Sequence, residues 1–224
     1  HTAYRRQRQM CIRDSYITDT YGTAVGVINP DANYKVVIEG HSDEISWYVN
    51  YITEKGLIYV IRNGGSDHQI APSKWVNIHT EKGIVKGVFG WPAIHTRKTG
   101  KEETPQLNNI FIDVGAKDKK EVENMGVHVG CVITYPDSFR ILNKNKFVCR
   151  AIDNRAGGFM IAEVGRLLHE NKIKLPYGLY ITNAVQEEVG PVSYTHLRAH
   201  ETREDRGWGR LGGKKKGGGG GGGG

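Results

Sequence analysis

The hydrophobic pattern begins with two β-branched runs. Val25-Gly26-Val27-Ile28 ends in the turn signal Asn29-Pro30-Asp31, and the run Tyr34 to Glu39 stops at Gly40. Short runs bounded by Gly, Pro, Asn and Asp predict strands. From about Ile45 to Thr134 the texture changes to short strands punctuated by Gly and Pro, at Gly56–Ile61, Trp75–Thr80, Ile84–Phe89, Phe111–Val114 and Cys131–Tyr135. Many short strands between turn signals predict a small β-barrel or sandwich. Within it only Asp118 to Met125, with a candidate Asp cap and a closing Gly126, has helical character. After Phe147 the pattern turns α/β. Phe159, Ile161, Ala162, Val164, Leu167 and Leu168 recur at helical spacing between Ala156 and Glu170, and Leu179 to Val185 predicts a buried strand. The expected fold is therefore α/β, over residues 16–44 and 135–190, with a β-rich domain inserted at 45–134.

The two ends depart from this texture. Lys214-Lys215-Lys216 and the glycine run Gly217–Gly224 offer no apolar side chains to bury. Arg5–Ser15 and Val192–Thr202 back-translate into the two transposase adapters of sequencing libraries, and repeated GGG codons give the glycine run. Residues 1–15 and 191–224 are accordingly expected to be adapter-coded and are set aside from the fold. The charge balance changes with them. The chain carries 31 Lys and Arg against 24 Asp and Glu, a formal charge of +7. Eleven of those basic and four of those acidic residues lie in the two ends, which leaves twenty of each sign. A basic surface for nucleic acid or anionic membrane thus loses its support. Cys131 and Cys149, the two cysteines left, have neither the spacing nor the density of a disulfide scaffold, so reduced thiols in the cytoplasm are expected. No apolar run reaches the length of a membrane span.

Three clusters carry candidate chemistry. His41 and Asp43 form an H-x-D unit at a strand terminus, where an imidazole can bind zinc or cobalt while a carboxylate holds its other nitrogen. A His beside an Asp is more often a satisfied surface pair. Asp153 precedes Asn154-Arg155-Ala156-Gly157 at the entry to the predicted helix. Taken alone it reads best as an N-cap, although a carboxylate can also bridge two cations. Glu187 and Glu188 end the last strand, where alternation points them in opposite directions unless the chain bends after Val185. Two buried carboxylates side by side repel unless cations compensate, and the bland alternative is a pair of solvent-facing loop residues.

The order of these clusters resembles the tetrahedral aminopeptidases, dinuclear metallopeptidases that include glutamyl and deblocking aminopeptidases. Gly40-His41-Ser42-Asp43-Glu44-Ile45, Ile112-Asp113-Val114-Gly115-Ala116, Ala151 to Gly157 and Gln186-Glu187-Glu188-Val189-Gly190 fall in family order, covering most of residues 16–190. The resemblance implies an incomplete zinc-peptidase-like catalytic domain and two divalent metal ions, zinc or cobalt, with manganese also suited to the ligands. It implies that His41, Asp153 and Glu188 bind metal, with Asp153 bridging. Asp43 would support His41, and Glu187 would act as general base in hydrolysing N-terminal residues from peptides. It also implies that the inserted domain mediates dimerisation, with dimers assembling into a dodecamer. The family's remaining acidic ligand and final His would lie beyond Gly190, so the chain as written is expected to bind metal poorly and to lack activity. His196 and His200 are adapter-coded and do not replace them.

Two other classes share features with this one. Glycoside hydrolases also use paired carboxylates, but adjacent Glu187 and Glu188 are not an obvious pair flanking a glycosidic bond. A non-catalytic assembly module would use the inserted domain, with Trp75 and Trp91 as interface anchors if exposed, although core packing is the commoner fate of tryptophan. His68, His79, His95 and His128 match no family ligand position and are expected to be exposed or locally hydrogen-bonded.

Overall fold

The computed structural model describes residues 15–97 and 104–190. The ends expected to be adapter-coded lie outside the described residues, Ser15 apart. Within them the α/β part forms a four-stranded sheet and a two-stranded hairpin, and the β-rich part a closed barrel.

The first sheet holds β1 (Ser15–Thr18), β2 (Ala24–Ile28), β3 (Lys35–His41) and the last strand, β12 (Gly178–Ala184), in the order β1-β2-β12-β3. β12 runs antiparallel to β2 and parallel to β3, with Ala184 level with His41. Parallel neighbours place their C-terminal ends at one edge of a sheet, where α/β proteins bind ligands. Helix α2 (Ile152–Glu170) packs on β3 and β12. Ile161, Ala162, Gly165 and Leu168 face the sheet, whereas Phe159, Val164 and Leu167, which share their helical spacing, are exposed. The apolar positions therefore cover more than one face of α2.

The inserted segment closes into a six-stranded barrel, which decides between the two β architectures expected. Its strands are β4 (Ser46–Ile52), β5 (Ile58–Asn63), β6 (Trp75–Thr80), β7 (Gly83–Gly90), β8 (Phe111–Asp113) and β9 (Val132–Thr134), in the closed order β4-β5-β8-β7-β6-β9. Closure leaves no unpaired edge. Trp47, Val49, Ile58, Val76, Ile78, Phe89, Ile112 and Ile133 fill the interior together with Val122 from helix α1 (Lys119–Asn124). Alternation along β6 buries Val76 and Ile78 and turns Trp75, at 64% exposure, outward. Core packing, the commoner fate, does not hold for this residue. Trp91 is half-buried, with the Arg97 guanidinium 3.5 Å from its ring centroid.

The cap expected for α1 is present. Asp118 is extended, and its Oδ1 accepts the Glu121 N–H at 2.8 Å. Asp118→Ala is expected to cost about 1 kcal/mol by removing that acceptor, measured as a shift in the thermal midpoint. An unchanged midpoint would show that the barrel, not the cap, fixes this helix.

Between the barrel and α2 stands a hairpin, β10 (Arg140–Asn143) and β11 (Lys146–Val148), that the sequence pattern does not reveal. All seven of its strand residues are exposed, so no burial periodicity marks it. Phe147 stacks on Phe139, just outside β10, at 5.1 Å between centroids. Among the described residues no helix is long and apolar enough to cross a membrane.

Candidate metal centre

His41 is the last residue of β3 and is 6% exposed, so its imidazole is fixed by what surrounds it. Nδ1 lies 3.3 Å from the Asp43 backbone oxygen and 3.4 Å from Asp43 Oδ1. Nε2 points the other way, 3.1 Å from Asp153 Oδ1 and 3.6 Å from Glu187 Oε2. Asp43 also accepts the Glu188 backbone N–H on Oδ2 at 3.0 Å. This one carboxylate therefore ties the end of β3 to the segment after β12.

Glu187 and Glu188 reach the same place because the chain turns sharply after β12. Ser42 N–H and Oγ–H both donate to Ala184 O, holding the two strand ends together. Gln186 then adopts a left-handed φ of 68°, which breaks the strand's alternation as the two carboxylates require. His41, Glu187 and Glu188 offer ligand atoms that all lie within 4.8 Å of one another. A barrel loop closes on this turn: at Gly64, φ +68°, a side chain would come within 2.7 Å of Glu188 O. Only glycine tolerates both the conformation and the approach.

Asp153 arrives from the start of α2, but not as its cap. Ala151 is left-handed (φ 55°), Asp153 and Asn154 are non-helical, and the peptide between them is cis. Asn154 Oδ1 accepts the Gly157 N–H at 2.8 Å, so the capping contact of the regular helix belongs to Asn154. Asp153 is left to face His41, with its side chain 86% exposed. The N-cap favoured for Asp153 taken alone is thus displaced by one residue.

Burial disfavours a charged imidazole, yet the hydrogen bond to Asp153 and the nearby Asp43 and Glu187 outweigh it and raise the His41 pKa above its ordinary value. Burial raises the Glu188 carboxyl. His41 opposes that rise, while Asp153, Glu187 and Asp43 reinforce it. Four carboxylates thus converge on one imidazole, and Asp43 Oδ1 is buried with no hydrogen-bond partner. Arg155 does not neutralise them, because its guanidinium is turned to Glu44 at 3.1 Å. Imidazole and carboxylate are zinc, cobalt and manganese donors, so the residues present fit a divalent cation by chemistry and by spacing. Every site residue expected from the sequence is in this cluster. The four inserted-domain histidines lie elsewhere: His79 pairs with Thr134 Oγ1 at 2.9 Å, His128 with Val129 O at 2.8 Å and His68 with Arg62, while His95 is exposed. The Glu44 contacts to Arg150 and Arg155 were not expected; two arginines flanking a candidate ligand were the available signal.

Known proteins resemble this chain in sequence and in fold. Residues 22–200 match the family described as M42 glutamyl aminopeptidase. The lysyl aminopeptidase of Pyrococcus furiosus is 29% identical over 181 residues, 80% of this chain and 51% of that protein. The TET aminopeptidase of the marine sediment archaeon Thaumarchaeota archaeon SCGC AB-539-E09 superposes with a TM-score of 0.76 at 26% identity, over 84% of this chain and 54% of that one. The TET1 peptidase of Pyrococcus horikoshii, which can assemble into a tetrahedron or a large octahedral shell, gives 0.73 at 26% identity, over 88% and 59%. The chain spans about half the length of the curated relatives it matches. Since that family match spans well over half of the sequence, this chain belongs to the M42 glutamyl aminopeptidase family.

Proposed function

We propose that these residues form the first half of a metal-dependent aminopeptidase site acting on peptides, with its remaining ligands beyond Gly190. The convergence of His41, Asp153, Glu187 and Glu188 at the paired ends of β3 and β12 carries this reading. His41, Asp153 and Glu188 would hold the ions, His41 through Nε2 on one, Glu188 on the other, and Asp153 shared between them. Asp43 keeps Nε2 free for the metal by engaging the Nδ1 side. Two divalent ions, zinc, cobalt or manganese, supply Lewis acidity and a water that ionises near neutral pH. Glu187, exposed beside them, takes the proton of the attacking water and returns it to the leaving amine. The free α-amino group of the substrate completes the recognition, which makes the enzyme an exopeptidase. The protein works in the cytoplasm, and its barrel, with Trp75, Ile84 and Ile94 exposed, is the surface through which copies assemble into dimers and a dodecamer.

The test compares the 224-residue chain with the full reading frame of its parent. The parent is expected to release N-terminal residues from peptides, to stop in EDTA and to recover with zinc or cobalt, and His41→Ala is expected to abolish the recovery. The 224-residue chain is expected to leave aminoacyl-anilides intact. Robust hydrolysis by that chain would overturn the missing-ligand reading. Release of sugars from cellulose without peptide cleavage would point to glycoside hydrolysis instead.

A further inference from the structure

Asp153 faces His41 from a stretch that the helix itself does not hold, since regular helix begins only after Asn154. Its neighbours are anchored instead to one carboxylate. Glu44 Oε2 lies 3.0 Å from Arg150 Nη1, and Glu44 Oε1 accepts from Arg155 Nη2 at 3.1 Å. Arg150 is held a second time by Asp137 Oδ1, at 2.9 Å from Nε and 2.6 Å from Nη2. Glu44 and Arg150 side chains are each 19% exposed, so their contact is not a solvent-screened surface pair, whereas the Arg155 side chain is 51% exposed. Both oxygens of Glu44 face an arginine: Oε2 is ion-paired, without hydrogen-bond geometry, to one three residues before Asp153, and Oε1 accepts a hydrogen bond from one two residues after it. Asp43, the residue before Glu44, contacts His41 and the Glu188 N–H.

We propose that Glu44 is a positioning residue: by clamping Arg150 and Arg155 it suspends the segment between them so that Asp153 stands against His41. The dipeptide Asp43-Glu44 then gathers all three segments of the cluster, Asp43 holding those of His41 and Glu188 and Glu44 that of Asp153. Partly buried ion pairs contribute little net stability once their desolvation is counted, so the role of this one lies in geometry. The inference rests on the metal-centre reading for its consequence, but the clamp can be tested without it.

The experiment uses the 224-residue chain and its variants Glu44→Gln, Glu44→Ala and Arg155→Gln. Hydrogen–deuterium exchange reads the segment 150–157 against the barrel strands 46–90, and cobalt(II) titration of the same variants in the full reading frame of the parent reads the visible absorption of the site. The clamp predicts faster exchange confined to 150–157, together with a changed cobalt spectrum and about tenfold weaker cobalt binding, the scale set by losing an outer-shell partner of a metal ligand. Unchanged exchange in that segment overturns the proposal, as does faster exchange throughout the barrel in all three variants. Because the chain as written is expected to bind metal poorly, the exchange result decides the clamp; absence of a cobalt spectrum in the unmodified full reading frame would overturn the metal-centre reading and leave the clamp to be judged by exchange alone.

Discussion

Trp47→Ala is expected to lower the stability of the barrel by about 3–5 kcal/mol, the usual cost of truncating a buried large aromatic to alanine. Trp47 is 1% exposed and meets the Phe89 ring edge-on, with centroids 5.3 Å apart and planes at 62°. Its partners are drawn from a closed ring of strands, which cannot collapse into the cavity without breaking ladder hydrogen bonds. The cost should therefore sit toward the upper end of that range. Trp75 supplies the internal comparison. It occupies the same barrel at 64% exposure, and Trp75→Ala is expected to change the stability of the unassembled chain by less than about 0.5 kcal/mol. Urea unfolding followed by near-UV circular dichroism distinguishes the two. Equal shifts for Trp47→Ala and Trp75→Ala would mean that the barrel interior is not the structural core of this domain.

The contrast between these tryptophans shows what the sequence makes legible. Strands β2, β3, β5 to β9 and β12 match the sequence pattern within a residue or two, because short β-branched and aromatic runs stand between turn residues and polar segments. Strand β4 escaped because its register slips between Val49 and Tyr51, and a bulge destroys the two-residue alternation on which detection depends. The outward placement of Trp75 was available in the parity of Val76 and Ile78, but general tryptophan burial spoke louder. At the site, each cluster taken alone favours a bland reading, and it is the resemblance carried by their order that names the five residues the structure brings together. Residue types and order could not show that Gln186 turns left-handed to bring both glutamates to one side, nor that Asn154 takes the capping contact and leaves Asp153 to face His41. The capping contact is local, three residues long, but the facing of Asp153 on His41 and of Asp43 on Glu188 joins segments more than a hundred residues apart, and local pattern carries no record of that. The exposure of Phe159, Val164 and Leu167 belongs to the same class: helical spacing identified apolar positions without saying which would be covered.

Gly40→Ala is expected to disrupt the metal centre while leaving the barrel folded. A Cβ at Gly40 would stand 2.7 Å from the backbone N of Gly158 and 2.9 Å from the backbone C of Gly157. Neither obstacle is the flexible end of a side chain, so relief requires α2 and β3 to move apart. A Cβ on Gly158 would stand 3.1 Å from Asn183 Oδ1 and 4.0 Å from His41 O, so Gly40 and Gly158 permit this close approach. It has a direct chemical consequence, because His41 is the next residue on β3, while Gly157 N–H binds Asn154 beside Asp153. Displacing the first turn of α2 would draw Asp153 away from the imidazole, 3.1 Å distant in the intact site. Overpacking of this kind costs up to about 3 kcal/mol, and here the loss should appear as faster exchange over α2 and weakened cobalt binding, with the near-UV signal of the barrel tryptophans unchanged. Gly65→Ala is the matched control, since a Cβ there meets only Ile45 Cγ2, at 3.9 Å. Should Gly40→Ala bind cobalt and exchange like the unmodified chain, the glycine-lined contact between α2 and β3 would not be what sets the His41–Asp153 geometry, and the arginine clamp at Glu44 would have to hold it alone.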